Sequence, residues 1–393
     1  VSSNMTPLAR MSTAFGGRPA QLVVNLVVGR DLLAAALASP AGADPAPGMS
    51  LLLADVKDPA SPRVLSVTPF AGGGVESVAL TPDDRLAFVG TEFSNGGIWT
   101  VDVADPASPR VLAFTPVPTE GPHNVRYAEV EGRRLLLASV SHVQTALNVL
   151  GFPQDPLPVG PHLRVDVFEM TDPARPLTLL SSYAPGDDEG LDGPAIVHDA
   201  VLQRHPRTGQ PLMYVANWDR GLRIVDLTDP AAPVEVGRFT DASPSGMLTI
   251  HTAKPMPAPI GDRHYAIATS QCAYSPDKEC HLRVVDVTDP AAPTLAATWT
   301  LPESPHGTLY TTEIFDVDAT RVVVPWRHGG TWTLDLSDPT RPRAVGWHFG
   351  QGAPREVATP GLAASPNANA VALRGDVAFV ADIPTGIDVV RLG

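Results

Sequence analysis

The chain has 393 residues, 44% of them hydrophobic and 18% charged, with 33 glycines and 42 prolines scattered along it. That composition can fill a packed core and excludes disorder, while a net charge of −14 excludes nucleic-acid binding, which needs a basic surface. No run of 18 apolar residues occurs, so no membrane span is expected.

Val1-Ser2-Ser3-Asn4 has neither an initiator Met nor an apolar signal segment. It reads either as the mature end left by signal removal or as an arbitrary boundary. The next stretch, TPLARMSTAF, looks like an outer strand that follows its proline. From there one phrase recurs to the end of the chain. It reads LLLADVKDPASPRV at 51–64, WTVDVADPASPRV at 99–111 and VDVFEMTDPARPLT at 165–178. It returns as LRIVDLTDPAAPVE at 222–235, LRVVDVTDPAAPTL at 282–295 and WTLDLSDPTRPRAV at 332–345. Each copy is an alternating strand closed by Asp-Pro-x-x-Pro, in which Asp caps backbone N–H groups and Pro ends the ladder.

The Asp of each Asp-Pro falls at 58, 105, 172, 229, 289 and 338, a spacing that suits one four-stranded unit per copy. Two further strands precede each copy, as in VESVALTPD and RLAFVGTEF, giving the order A, B, C, Asp-Pro turn, D. Units of this kind bury their faces only by stacking around an axis. The C-terminal NAVALRGDVAFVAD and GIDVVRLG supply strands A, B and C of a seventh unit that lacks D. Residues 7–15 are expected to complete it. The predicted fold is therefore all-β, a single seven-bladed β-propeller over residues 1–393 closed by its N-terminal strand, which leaves no exposed sheet edge at the junction.

The phrase resembles the LVIVD-repeat propellers, a family of mostly extracytoplasmic bacterial proteins. Leu222-Arg223-Ile224-Val225-Asp226 and Leu282-Arg283-Val284-Val285-Asp286, with their Asp-Pro-x-x-Pro tails, carry the resemblance. It implies the fold and a secreted or periplasmic setting, and no particular reaction.

In a propeller the D–A and B–C connections share one face and the A strands line the channel. Alignment on the B strands puts one polar residue at each A-strand start: Glu76, His123, His198, His251, Glu313 and Asn369 in blades 2 to 7, with Asn25 near that position in blade 1. Three imidazoles from successive blades, flanked by carboxylates, have the chemistry of a catalytic metal centre with open coordination positions. His306 would be a fourth ligand, with Glu76 and Glu313 as catalytic carboxylates in the inner shell or behind it. Fe or Cu suits an imidazole set first, with Zn or Mn as the alternative. The layout is similar in outline to carotenoid cleavage oxygenases and to selenium-binding-protein-type thiol oxidases. The competing reading has the same histidines simply bonding backbone in a wet channel.

The B–C connections add a second layer. Residues 139–161 form the longest, with His142 and Phe152 as parts of a lid. Trp218 and Arg220 in blade 4, and Trp326, Arg327 and His328 in blade 6, either hold an aromatic or anionic small-molecule substrate or are hairpin packing. Cys272 and Cys280 are the only cysteines, with seven residues between them in the blade-5 connection, and are expected to form a disulfide, with a two-thiol metal site or two unrelated thiols as the alternatives.

No Gly-x-Ser-x-Gly elbow, His-Glu-x-x-His, P-loop or Rossmann glycine signature is present, which disfavours serine hydrolase, zincin, NTPase and dehydrogenase readings. The expected function is a metal-dependent oxidoreductase or oxygenase acting on a small organic substrate. A metal-dependent hydrolase or lyase, or a non-catalytic extracytoplasmic propeller for protein or glycan, are the alternatives. A monomer is expected.

Overall fold

The computed structural model describes residues 4–17, 20–38, 49–70, 77–92, 96–118, 121–141, 163–186, 196–218, 220–240, 249–271, 280–302, 311–350 and 366–393. They contain 28 strands, beginning with β1 (Met5–Met11). Blade 1 is β2 (Leu22–Val28), β3 (Leu32–Ala38), β4 (Met49–Asp55) and β5 (Arg63–Phe70). Blade 2 is β6 (Ser77–Leu80), β7 (Leu86–Thr91), β8 (Gly97–Asp102) and β9 (Arg110–Pro116). Blade 3 is β10 (Asn124–Val130), β11 (Arg133–Val140), β12 (Arg164–Glu169) and β13 (Thr178–Tyr183). Blade 4 is β14 (Asp199–Arg204), β15 (Pro211–Ala216), β16 (Leu222–Asp226) and β17 (Val234–Phe239). Blade 5 is β18 (Ile250–Pro255), β19 (Tyr265–Ser270), β20 (Leu282–Asp286) and β21 (Thr294–Trp299). Blade 6 is β22 (Asp316–Val317), β23 (Arg321–Pro325), β24 (Thr331–Asp335) and β25 (Arg343–His348). Blade 7 joins β26 (Ala368–Arg374), β27 (Val377–Asp382) and β28 (Gly386–Leu392) to β1, in the order β1-β28-β27-β26. Seven four-stranded antiparallel sheets result, as the repeat requires.

The Asp-Pro chemistry is visible in every copy. Oδ1 of Asp58, Asp105, Asp172, Asp229, Asp289 and Asp338 accepts the backbone N–H two residues on. Their carbonyls accept the N–H three residues on. Each turn is thus held by a side-chain bond and a backbone bond before any neighbouring blade contributes.

A second periodic feature sets how blades dock. Every C–D pairing slips by one residue at the same place: Leu53/Ala54, Thr100/Val101, Val167/Phe168, Ile224/Val225, Val284/Val285 and Thr333/Leu334. The residue after each bulge is small, namely Ser66, Ala113, Ser181, Gly237, Ala297 and Gly346. In blades 1, 3 and 4 this position meets the next blade's Asp-Pro turn, and in blade 6 Gly346 meets Asn4 and Met5 at the start of the closing strand. Ser66 Oγ donates to the Pro106 carbonyl and Ser181 Oγ to that of Pro230, both at 2.7 Å. At Gly237 an added Cβ would lie 1.9 Å from the Pro290 carbonyl oxygen.

The N-terminal strand repeats the device. β1 pairs with β28 from Met5↔Leu392 to Met11↔Ile387, slipping between Pro7 and Ala9. Ala9 is therefore the seventh small residue, which makes β1 a true D strand. The expected closing segment, 7–15, begins two residues late and runs four too far. Among the described residues the apolar core divides into seven clusters, one per blade–blade junction. Met11 sits in the blade 7–1 cluster and Met5 in the blade 6–7 cluster, so the closing strand seals two junctions at once. No helix among the described residues is long and apolar enough to cross a membrane.

Candidate functional site on the propeller axis

The innermost strands are tied to one another by polar side chains, because an axis lined by seven converging strands has no room for a continuous apolar layer. Arg126 of β10 grips Asp199 of β14 with Nε and Nη2 at 2.9 and 2.7 Å. Burial opposes ionisation of Asp199, yet Arg126 still holds its carboxyl below the usual carboxylate range. Ser77 Oγ accepts from the Val125 N–H at 2.8 Å, and Asn124 Nδ2 donates to the His198 carbonyl at 2.8 Å. β22 is only two residues long, and Ile314, two residues upstream, bridges in parallel to Ala370 of blade 7.

These ties bring the A-strand starts of blades 3 to 6 together at one end of the axis. His123 and His198 immediately precede β10 and β14, and each backbone N–H donates to its own B strand, at Ser139 and Ala216. His251 is the second residue of β18, at a register slip between Ile250 and Thr252. His123 Nε2 lies 2.8 Å from His198 Nε2, with ring centres 4.3 Å apart and planes at 78°. The His198 and His251 rings stack with centres 3.6 Å apart and a tilt of 38°. His251 Nε2 is 3.1 Å from Glu313 Oε2, and His251 Nδ1 is 3.0 Å from Thr252 Oγ1. Glu313 Oε1 accepts from Arg327 Nε at 2.7 Å and from Gln271 Nε2 at 3.3 Å. Arg327 Nη1 continues to Asn367 Oδ1 at 3.4 Å.

Glu92, which follows the B strand of blade 2, bonds His123 Nδ1 through Oε1. It is buried and was not expected from the sequence, since the search for axial groups followed A-strand starts. The signal available was its place at the inner end of a B strand, directly beside the next blade's A-strand entry. All of His123, His198, His251, Glu92 and Glu313 are buried. Burial, then His251 and His123, push the His198 imidazole well below its ordinary value, so it is neutral near pH 7. Burial alone would raise Glu313, but Arg327 and His251 outweigh it and leave the carboxyl at about 2.

The other expected site residues divide into two groups. Trp218 is buried, at a φ of 33°, in the blade-4 turn that bridges to Ile250. Trp326 is buried in the blade 5–6 core, its ring centre 5.2 Å from that of Trp299. Both tryptophans therefore take the packing role. Arg327, at a φ of 46°, and the buried His328 form the adjoining B–C turn, where the Arg327 backbone pairs with Ala368. The Arg220 backbone N–H donates to the Asn217 carbonyl within the blade-4 turn. Asn25 is buried within β2, its Oδ1 accepting from the Leu26 N–H, and Asn369 Nδ2 donates to the Val24 carbonyl. Glu76, His142, Phe152, Cys272 and His306 lie outside the described residues. Cys280 is buried just before β20.

With fold and site in view, the class is a seven-bladed β-propeller that carries LVIVD repeats in blades 4 and 5. Residues 212–241, which take in most of β15 and all of β16 and β17, and 272–300, which take in β20 and β21, match the model of the LVIVD repeat. No curated protein matches the chain. Among solved structures, the crystal structure of the RRP9 WD40 repeats is similar over 99% of both chains, with a TM-score of 0.62 and 11% identity. At that identity the likeness shows the fold alone.

Proposed function

We propose that the protein is a metal-dependent enzyme centred on the axial imidazole–carboxylate cluster, with oxidoreductase or oxygenase chemistry on a small organic substrate. The supporting observation is how His123 and His198 meet, with nitrogens 2.8 Å and ring centres 4.3 Å apart. An in-line N–H···N bond of that length would separate the ring centres by about 5 Å. Two imidazoles at right angles around one ion, each ~2.1 Å away, would give about 3 and about 4.5 Å. The donor chemistry agrees. His198 is neutral, and Glu92 on His123 Nδ1 favours the tautomer that leaves the Nε2 lone pair free.

His123 and His198 would hold the ion through Nε2, with Fe or Cu favoured and Zn or Mn second. As the side chains stand, no three His, Cys, Asp or Glu among the described residues are placed to hold an ion. A third ligand therefore requires His251 to turn from Glu313, or water to complete the shell. The bound ion would supply redox or Lewis-acid chemistry. A carboxyl held at about 2 is a poor proton acceptor, so Glu313 orients His251 and neutralises Arg327.

Reconstitution with each metal in turn, followed by elemental mass spectrometry, tests this reading. One ion fewer per chain is expected in His198→Ala than in the native protein, and weaker retention in Glu92→Gln. Full metal content in His198→Ala refutes the ligand assignment, and substoichiometric metal in the native protein refutes the centre. A metal-dependent hydrolase or lyase is the same centre carrying Zn or Mn.

A non-catalytic propeller that binds protein or glycan on this face is favoured by one fact. The chains Glu92–His123–His198 and His251–Glu313–Arg327–Asn367 are bonded without any ion. We also propose a Cys272–Cys280 disulfide and a secreted or periplasmic location, which mass analysis after alkylation would check. Two alkylated thiols without prior reduction would refute the disulfide.

A further inference from the structure

A second imidazole pair lies away from the axis. His205 follows β14 in blade 4 and His264 precedes β19 in blade 5, both at the A–B end of their blades, opposite the axial cluster. Each is 1% exposed, and their ring centres are 5.6 Å apart with planes at 83°. His205 Nδ1 lies 3.2 Å from Thr208 Oγ1. The remaining three ring nitrogens, His205 Nε2 and both of His264, have no hydrogen-bond partner.

A buried polar nitrogen gives up its hydration and recovers nothing if left unpaired, and native cores rarely leave one without a partner. Three together, on two adjacent rings, are donors that one shared ligand would satisfy. The main chain cannot supply the partners, because it is already committed. The His205 N–H donates to the Gln210 carbonyl, and the His205 carbonyl accepts from Gly209 in a tight turn. The His264 N–H donates to Thr288 Oγ1, while the His264 carbonyl accepts from Val287.

We propose that His205 and His264 bind a zinc-class divalent transition-metal ion at the junction of blades 4 and 5, independently of the axial centre. Two imidazoles each ~2.1 Å from one ion hold their ring centres about 5 Å apart when tetrahedral and about 6.5 Å apart when in line. The observed 5.6 Å falls between these limits. If Nδ1 of His205 donates to Thr208, its Nε2 carries the free lone pair. Burial, helped by His205, lowers His264 to about 4, so its ring is a neutral donor near pH 7. Among the described residues no further His, Cys, Asp or Glu completes a three-ligand set, so water fills the remaining positions. A groove lined by Asp262, Asp286 and Asp289, against Arg207 and Arg263, also includes Thr288, the residue bonded to the His264 backbone. Its excess of carboxylate suits the approach of a cation.

The experiment is a calorimetric zinc titration of native protein, of His205→Gln and His264→Gln, and of each in a His123→Ala/His198→Ala background. In that background one zinc per chain is expected, with affinity at least tenfold lower after either glutamine substitution. Cu²⁺ in the same background should show splitting from two imidazole nitrogens, falling to one in each single variant. If the background variant does not fold, the native chain serves, and each glutamine variant should bind one zinc fewer. Zinc stoichiometry and affinity unchanged by His205→Gln and His264→Gln would overturn the proposal and leave the nitrogens to buried water. Since the background removes the axial pair, failure of the axial centre and failure of this site give different results.

Discussion

Asp388 is the most exacting place to test how the ring closes. It belongs to β28, pairs across the sheet with Arg10 of β1, and also reaches His348 of blade 6. Its Oδ2 lies 2.8 Å from both Arg10 Nη2 and His348 Nε2, and the residue is 4% exposed. Asp388→Ala leaves the Arg10 guanidinium without its bidentate partner and His348 Nε2 without its acceptor, and breaking a buried ion pair in this way costs ~3–5 kcal/mol. The Arg10 side chain is 28% exposed, so water recovers part of its solvation and the lower end, about 3 kcal/mol, applies. Replacing both partners, as Arg10→Met with Asp388→Leu, removes the charges together and should cost no more than about 1 kcal/mol. Urea unfolding at pH 7 of the native protein, Arg10→Met, Asp388→Leu and the double variant would give the coupling, with Asp388→Ala measured beside them. The pH dependence supplies a second check. Burial raises the Asp388 carboxyl, but His348 and Arg10 outweigh it and hold it below its usual value. Its stabilisation is then present above ~3.9, the unfolded value, and is lost as pH falls below that. Asp388→Ala costing less than about 1 kcal/mol, or a double variant as unstable as the single, would refute the reasoning.

Three further outcomes are expected. Glu313→Gln should lower the melting temperature at neutral pH, by up to about 3 kcal/mol of stability if the unfolded value is ~4.3. The gap from the native protein should close as pH falls from that value toward about 2, and parallel melting curves over that range would contradict the pairing with Arg327 and His251. Gly237→Ala drives a Cβ into the Pro290 carbonyl and should cost about 2–3 kcal/mol, whereas Ser66→Ala, at the equivalent place in blade 1, should lose only about 1 kcal/mol with its bond to Pro106. Similar urea midpoints for these two variants would show that the post-bulge position does not set blade spacing. Deleting residues 1–15 removes β1 and with it Met5 and Met11 from two core clusters, so cooperative melting should fall steeply or give way to association through the bare edge of β28. Unchanged melting would mean the ring does not need its seventh D strand.

The blades could be read from sequence because their chemistry is local. An Asp two residues before the N–H it caps, followed by a proline, carries its meaning within five residues, and six such turns fix the period. The small residue after each bulge was equally present in the sequence. Its purpose is non-local, however: Gly237 is small because Pro290 of the next blade lies against it. Ser, Ala and Gly at one register look like unrelated substitutions until the neighbouring turn is in place. The axial histidines were legible for the same reason as the blades, since His123, His198 and His251 share a register in the repeat. Glu92 was not, because its partner His123 lies in the next blade and 31 residues along the chain. His205 and His264 show the limit most plainly. They stand in A–B connections of different lengths, where no register relates them, and only the docking of blade 4 on blade 5 brings their rings together. A periodic sequence thus discloses what each blade repeats, while pairs made across a junction by non-repeating residues need the three-dimensional ring. Both candidate metal pairs in this protein cross such a junction, His123 with His198 and His205 with His264. Chemistry here is therefore expected to depend on blade docking, and a variant that loosens the blade 4–5 junction, such as Gly237→Ala, should weaken ion binding at His205 and His264 while leaving the blade 3–4 pair intact.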